Sequence, residues 1–583
     1  MTPRRRPGKI TPPLPGLSDL TDVLIASPDG SEVYVFNQRG RHQRTVDALT
    51  GVVIYQFGYD DPTSGFLTSV TDRDGNVTTF ERGVAAGDLV ITASFGQETV
   101  ISLDANGYVQ SIANPGGETT SFEYTPDGLM TKVTDPRMNA TGYGYTAEGR
   151  LTSTVDPVGG GHTLTRSELA GGYQVLDQTA AGVDTTYDVE FQPTGDELRT
   201  TSFSDGTERT TLIGVDETTT VTEPDGTIQV SQPGPDPRFG MQAAVPESTQ
   251  ISTPAGLTAQ VDATSDAPIT DPADPFSFTT STDTVTVNGR TVTRTYDPVA
   301  KTFTDTTPEG RQTVTTVDGQ GRVAKTELTG LHPTRHEYDL NGRITVIKQG
   351  PDPDTAETRV MQFDYVDLTD IANGYPQQSE GQLKSITDAL NRTATFEYDS
   401  NVRVSKRILP DLREIGFVYD DAGNVTQVIP PGRPPHDFTY TGVNLEQTYD
   451  PPQVTPPLAT VTTTTAYTAD GQVDLITRPD GEQIDFTYDT QGRIDAITLL
   501  PSAEVRDYSY DLLTGNLIQI TGPGATVDFA YDGNLQTTET WTGAEIATVS
   551  VTRAYDASLL NQATKLQETI NLEVDVDCSP GRS

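Results

Sequence analysis

The chain has 583 residues, with 39 Lys and Arg against 82 Asp and Glu, a formal net charge of −43. That balance excludes nucleic acid and anionic membrane surfaces as partners, and a hydrophobic content of 34% is too low for so long a chain to be solid core throughout. Its one cysteine, Cys578, excludes an internal disulfide framework and a Cys-ligated zinc site, so stability has to come from backbone pairing and packing.

Residues 1–20 read as a disordered, basic, Pro-rich tail. They lack an apolar h-region and are no signal peptide, and no window of the chain approaches the run of about 18 apolar residues that a membrane helix needs. Residues 21–160 open a β region: Val33 and Val35 alternate with Tyr34 and Phe36, and a short motif then appears at Tyr124 with Gly128 and at Tyr145 with Gly149 and Arg150. Residues 161–330 keep the alternation but lose the motif, in a degenerate Thr-rich block with loops at Gly234 and Asp271. The motif returns over 331–450, at Tyr338 and Asp339 with Gly342 and Arg343, at Tyr398 and Asp399, and at Tyr419 with Gly423. A Pro-rich stretch, 451–460, is an excursion from the sheet rather than a domain boundary. The third block, 461–556, carries Tyr467 with Gly471, Tyr488 and Asp489 with Gly492 and Arg493, Tyr510 with Gly515, and Tyr531. Residues 557–583 resemble no repeat, and Leu559 to Ile570 is the nearest approach to a helix.

The spacing decides the architecture. Leu103, Tyr124 and Tyr145 are 21 apart, as are Tyr398, Tyr419 and Tyr440, and Tyr467 to Tyr531 steps by 21, 22 and 21. A fixed period of this size means a stacked array of one supersecondary unit. In the clearest copy Ile484, Phe486 and Tyr488 alternate with Asp485 and Thr487, the pattern of a strand with one apolar face. Asp489 to Gly492 then suits a type I turn closed by a left-handed glycine through a G1 bulge, and Arg478-Pro479-Asp480-Gly481 is a matching turn at the other end. Ile494 and Ile497 are three apart, which predicts a bulge or bend in the return strand. Roughly 20 such hairpins give about 40 strands and a ribbon about 190 Å long at ~4.8 Å per strand. Open sheets seldom grow much past about ten strands, so this one must coil, close or split.

Nine copies of Tyr-Asp-x-x-Gly-Arg-Leu/Ile at this period resemble the YD repeat of the RHS family, which includes bacterial polymorphic toxins, the BC shell of Tc toxins and the teneurin YD shell. The stretch from Ser27-Pro28-Asp29-Gly30 to Val70-Thr71-Asp72 resembles the teneurin junction where the shell begins. The resemblance implies an all-β array of hairpins coiled into a large, hollow spiral shell. The family's C-terminal core, with its Asp-Pro-rich closing segment and self-cleavage site, has no match, so the expected shell is incomplete. The implied role is structural: a shell in a larger secreted or surface toxin-type protein that encloses a C-terminal cargo. The implied partners are flanking regions of the same polypeptide or a toxin cargo, and a cell-surface glycan or protein. The implied location is extracellular or at the cell surface. A carbohydrate-binding cell-surface adhesin displaying the same sheet is the alternative from a different class.

The sequence offers no competing chemistry. His332 and His336 have helical zinc-pair spacing, but Pro333 and the strand motif at Tyr338 deny them a helix. Asp72 to Asn76 faintly resembles a calcium loop without its Gly at position 6, and reads better as a hairpin turn. No nucleophile elbow, zincin or P-loop motif occurs, and the expectation is a non-enzyme with no cofactor and no metal.

Overall fold

A tight turn recurs at the end of nearly every strand, and its chemistry is visible at Asp489. In a computed structural model of the chain the Asp489 N–H donates to the Arg493 carbonyl at 2.8 Å and the Gly492 N–H to the Asp489 carbonyl at 3.0 Å, with Gly492 at φ 74°. This is the predicted type I turn with a G1 bulge. The Asp489 carboxylate fixes it further, accepting from the Gln491 and Arg493 N–H groups at 2.9 Å through one oxygen and from Arg493 Nε at 2.8 Å through the other. The opposite turn at Arg478 to Gly481 has the same two backbone bonds.

The structure describes residues 22–60, 65–83, 88–272, 274–355, 358–453, 461–544 and 548–555, and the backbone of the strands Asn561–Glu568 and Glu573–Val576. Turns at both ends of each strand produce one antiparallel meander of 48 strands, each paired with its neighbours in sequence, and the sheet does not close on itself. The register carries the predicted bulge: Thr487 pairs with Ala496 but Tyr488 with Ile494, leaving Asp495 as the extra residue. The same shift occurs just before Tyr124, Tyr145, Tyr338, Tyr398, Tyr419, Tyr467, Tyr510 and Tyr531. Each bulge adds local twist and curls the ribbon where the motif recurs, whereas the hairpins of residues 161–228 pair without a shift.

The curled ribbon returns on itself. Arg238 donates to the Ala48 carbonyl across 190 residues of chain, Arg322 reaches Asp74 across 248, and Thr253 reaches Asp532 across 279. The wall is a single layer. Its accessible surface of 33968 Å² compares with about 20,000 Å² for a compact protein of 62.7 kDa, so most strands expose both faces. Among the described residues, clusters of buried apolar side chains form where the second coil meets the start of the first: Val33, Val35, Val46 and Ala48 lie under Phe239 and Phe276, and Ala267, Phe278 and Tyr296 form a second cluster with Leu49 packed against it.

Three expectations change. The strand count is 48 rather than about 40, because the block 161–330 continues the meander without interruption, in hairpins that mostly lack the bulge and have strands of up to 13 residues in Gly240–Ser252. Within the segment Leu559 to Ile570 the described residues are a strand and not a helix: Asn561–Glu568 pairs antiparallel with Val549–Tyr555 and then with Glu573–Val576, which extends the meander past residue 557. A short helix does occur elsewhere, at Leu368–Ala372, capped by the Asp367 carboxylate. The strands Glu446–Asp450 and Thr463–Tyr467 pair directly, so the Pro-rich excursion is one turn of the meander; its residues 454–460, like the tail 1–20 and Cys578, lie outside the described residues.

Candidate functional site

The repeat signature builds two features: a ladder of tyrosines through the wall and a seam where one coil meets the next. In the ladder, the Tyr488 hydroxyl donates to the carbonyl of Val473, the residue paired with Tyr467 at the preceding bulge. The same relation, hydroxyl to the residue facing the previous tyrosine, holds for Tyr145, Tyr398, Tyr419, Tyr467 and Tyr510, bonded to Met130, Leu383, Val404, Glu446 and Ile494, and Tyr338 bonds Val323, which faces Val317 at the preceding bulge. A bulge interrupts the strand ladder at that carbonyl, and the next repeat's phenol satisfies it. Such a bond is worth about 1 kcal/mol net. Tyr124 keeps the bulge and lies against the Tyr108 ring at 5.3 Å.

Arginine completes the link. The Arg493 guanidinium lies 4.1 Å from the Tyr510 ring centroid, Arg343 4.3 Å from Tyr365, and Arg403 4.7 Å from Tyr419, each a cation–π contact of about 0.5–1 kcal/mol. Burial pushes the Tyr338, Tyr398, Tyr488 and Tyr510 hydroxyls above their ordinary value. Gly128, Gly149, Gly342, Gly423, Gly471 and Gly515 all take φ between 75° and 90° at the closing turn position. Arg150, by contrast, is half-exposed and pairs with Glu168.

Tyr365, Tyr440, Tyr59 and Tyr555 make the same hydroxyl-to-carbonyl bond. Tyr365 escaped the sequence reading because the insertion carrying the short helix separates it from Tyr398 by more than one period. The available signal was Arg343, one hairpin upstream, which has its aromatic partner there.

The seam follows one rule. Call the turns that follow the tyrosine strands the A edge and the turns at the opposite end the B edge. Every described contact between coils joins a B-edge turn of the first coil to an A-edge turn of the second. Arg322 meets Asp74 at 2.7 Å, Arg403 meets Glu118 at 3.1 Å, Arg493 meets Asp205 at 3.1 Å and Arg137 meets Asp420 at 3.2 Å. Neutral contacts fill the gaps: Asn76 with Asn341, Gln97 with the carbonyls of Gln378 and Glu380, and Asp532 with Thr253 and the Ala255 N–H. The second-coil arginines hold their own turn aspartate through Nε and Nη2 and use Nη1 across the seam. One side chain therefore braces its turn, covers the next tyrosine and ties the coils.

The histidines take other parts. His336 sits in the strand Thr334–Tyr338, where burial lowers its pKa; His332 lies in the preceding turn. His42 packs among Tyr34, Phe36 and Phe57, and His436 stacks on Tyr449. Asp72 to Asn76 is a hairpin turn whose Asp74 is committed to Arg322. No helix among the described residues is long and apolar enough to cross a membrane, which says nothing of strands.

Mouse Teneurin-3 is 31% identical over 110 residues, which is 19% of this chain and 4% of the relative. Teneurin-m of Drosophila melanogaster is 30% identical over 112 residues, with the same shares. The matches thus span about 4% of the length of these curated relatives. Among solved structures, TcdB2-TccC3 without its hypervariable C-terminal region aligns over 90% of this chain and 37% of its own, at 12% identity and a TM-score of 0.33. The Photorhabdus luminescens Tc holotoxin pore aligns over 95% and 32%, at 12% identity and a TM-score of 0.34. The family model described as Teneurin YD-shell matches residues 21–578, nearly all of the meander whose tyrosine ladder and coil seam are described above, and the chain belongs to the teneurin YD-shell family.

Proposed function

We propose that this chain is the wall of a container: a structural YD-repeat shell, in a larger secreted or surface toxin-type protein, that encloses a C-terminal cargo. The observation that carries the reading is the single-layer coil with about 1.7 times the surface of a compact protein of its mass. A sheet so deprived of core is costly to maintain unless the space it surrounds is used. Its partners on this reading are flanking regions of the same polypeptide. The test is protease protection of the natural polypeptide, expressed with any coding sequence that follows residue 583. The segment beyond the shell should survive proteinase K while the shell is folded and be digested once the shell is unfolded in guanidinium. Digestion at equal rates in both states refutes enclosure.

The adhesin reading draws on aromatic side chains for sugar binding. Twelve tyrosine hydroxyls among the described residues are already committed to backbone carbonyls within the wall, seven of them in the predicted signature, and this favours the container. A glycan array with the 583-residue chain distinguishes the two, since a selective signal would support the adhesin.

A further inference from the structure

The wall and the seam are held by different kinds of contact. Strands of the wall pair through backbone ladders, each with its neighbours in sequence. Among the described residues no backbone-to-backbone hydrogen bond passes from one coil to the other, and every hydrogen bond that does cross uses a side chain. The coils can therefore part without unpairing a strand.

The seam is also uneven along its length. At its start Val33, Val35, Val46 and Ala48 of the first coil are buried under Phe239 and Phe276 of the second, and Leu49 packs against a second apolar cluster around Phe278. Beyond these, no cluster of buried apolar side chains spans the seam among the described residues. The crossings there are the four arginine–carboxylate pairs, Thr179 with Asp470, and at the far end Asp532 with Thr253 and the Ala255 N–H. Midway the fit is loose, with a cleft of about 340 Å³ between Asp156 and Val158 of the first coil and Thr441, Val443, Leu445 and Ala469 of the second. The walls of such a cleft lack the dispersion contacts of a packed interface.

We propose that the seam is the door of the shell: the second coil swings away from the first, from Asp532 back toward Arg322, on the apolar clusters as a hinge, while the strands stay paired. The inference rests on the container reading and gives the enclosed space a lateral exit. It is a hinge motion about one packed end, and a sub-global opening that requires less free energy than unfolding the wall.

Two amides report the state of the seam. The Ala181 N–H donates to the Asp470 carboxylate at 2.9 Å and the Ala255 N–H to the Asp532 carboxylate at 2.7 Å, each across the seam and neither with a backbone acceptor. Their acceptors sit in different turns of the second coil, so one door must move both.

The experiment is native-state hydrogen exchange of the 583-residue chain, resolved at these two amides and in the strands Gly172–Thr179 and Gly240–Ser252 that lead into them. Ala181 and Ala255 should exchange together, and faster than the strands. Two variants then act elsewhere on the seam. Glu118→Gln combined with Asp205→Asn removes the charges that Arg403 and Arg493 meet. Gly116→Ala is steric instead, since the three atoms nearest its new Cβ all belong to the Asn401 amide of the other coil, with which it collides. Each variant should speed exchange at both Ala181 and Ala255 by about fivefold or more. Both strands, and Glu32–Asn37 beneath the apolar cluster, should keep their parent rates. Exchange of the two amides at the strand rate, a response at one amide without the other, or acceleration of the strands along with the seam overturns the proposal. The readout needs no cargo and so fails separately from enclosure: protection from proteinase K with a seam that stays shut would keep the container and overturn the door.

Discussion

The fourth position of the hairpin turn offers a test in which one substitution and its reverse should have opposite signs. Gly492 takes φ 74° there, and Val402 takes φ 66° at the equivalent place in the turn after Tyr398, with the same pair of backbone bonds. For an L-residue the left-handed region costs roughly 1–2 kcal/mol, and a β-branched side chain is among the least suited to it. Glycine avoids that cost but loses about 0.5–1 kcal/mol more conformational entropy on folding. The difference leaves about 0.5–1 kcal/mol for Val402→Gly as stabilisation, and the same or more for Gly492→Val as destabilisation. Space does not alter the sign: a Cβ on Gly492 would meet Gln472 and Val183 at 3.6 Å, ordinary contact. Because a repeat array opens locally, the assay is native-state hydrogen exchange of the strands flanking each turn, Gln483–Tyr488 with Ile494–Leu500 and Thr393–Tyr398 with Val404–Ile408. A change of about 1 kcal/mol appears as about a fivefold change in exchange rate. Faster exchange in Val402→Gly, or none in Gly492→Val, would show that the turn does not limit opening of its hairpin.

Tyr488→Phe removes the hydroxyl that donates to Val473 and should cost about 1 kcal/mol, read as faster exchange in the hairpin before Tyr488 as well as in its own; an effect confined to one hairpin would mean the ladder does not couple repeats. Asp205→Asn removes the charge that Arg493 meets at 3.1 Å and should weaken the seam by about 1–2 kcal/mol, opening the turns at 204–207 and 489–493 together; opening of one alone would deny that they share a seam. The ladder tyrosines also predict alkaline unfolding. Burial raises their folded pKa above the ordinary value of 10.0, so the folded state holds protons that the unfolded state releases, and stability present below about pH 10 is lost as pH rises through and beyond it. Phenolate absorbance at 295 nm should rise together with loss of β circular dichroism, and ionisation completed before unfolding would contradict the burial.

The wall was legible in the sequence because its instructions are local. Asp489, Gly492 and Arg493 sit within five residues and specify a turn, and Ile494 and Ile497 betray the bulge by their spacing. The tyrosine marks a position in the strand, but its hydroxyl's destination, the preceding bulge, requires the register. The seam was illegible for a different reason. Its partners lie 190 to 307 residues apart, at separations that change along the coil, so no period connects them, and Asp74, Glu118 and Asp205 look like any turn acid in a chain with 82 Asp and Glu. The segment Leu559 to Ile570 read only as the nearest approach to a helix, and its strand Asn561–Glu568 was illegible because pairing with Val549–Tyr555 decides the conformation there.

The order of the contacts along the chain also sets a schedule for biosynthesis. Each hairpin needs only the strand just made, so the wall can form strand by strand as the chain leaves the ribosome, with the short loop closures that make folding fast. The seam cannot: Asp74 waits for Arg322 across 248 residues and Arg137 for Asn444 across 307. At about 5–20 residues per second that is a delay of roughly 10–60 s. For that interval the first coil is a finished sheet with an unoccupied rim of charged turns, soluble because those turns are acidic, and the space beside it is still open to whatever is to be shut inside.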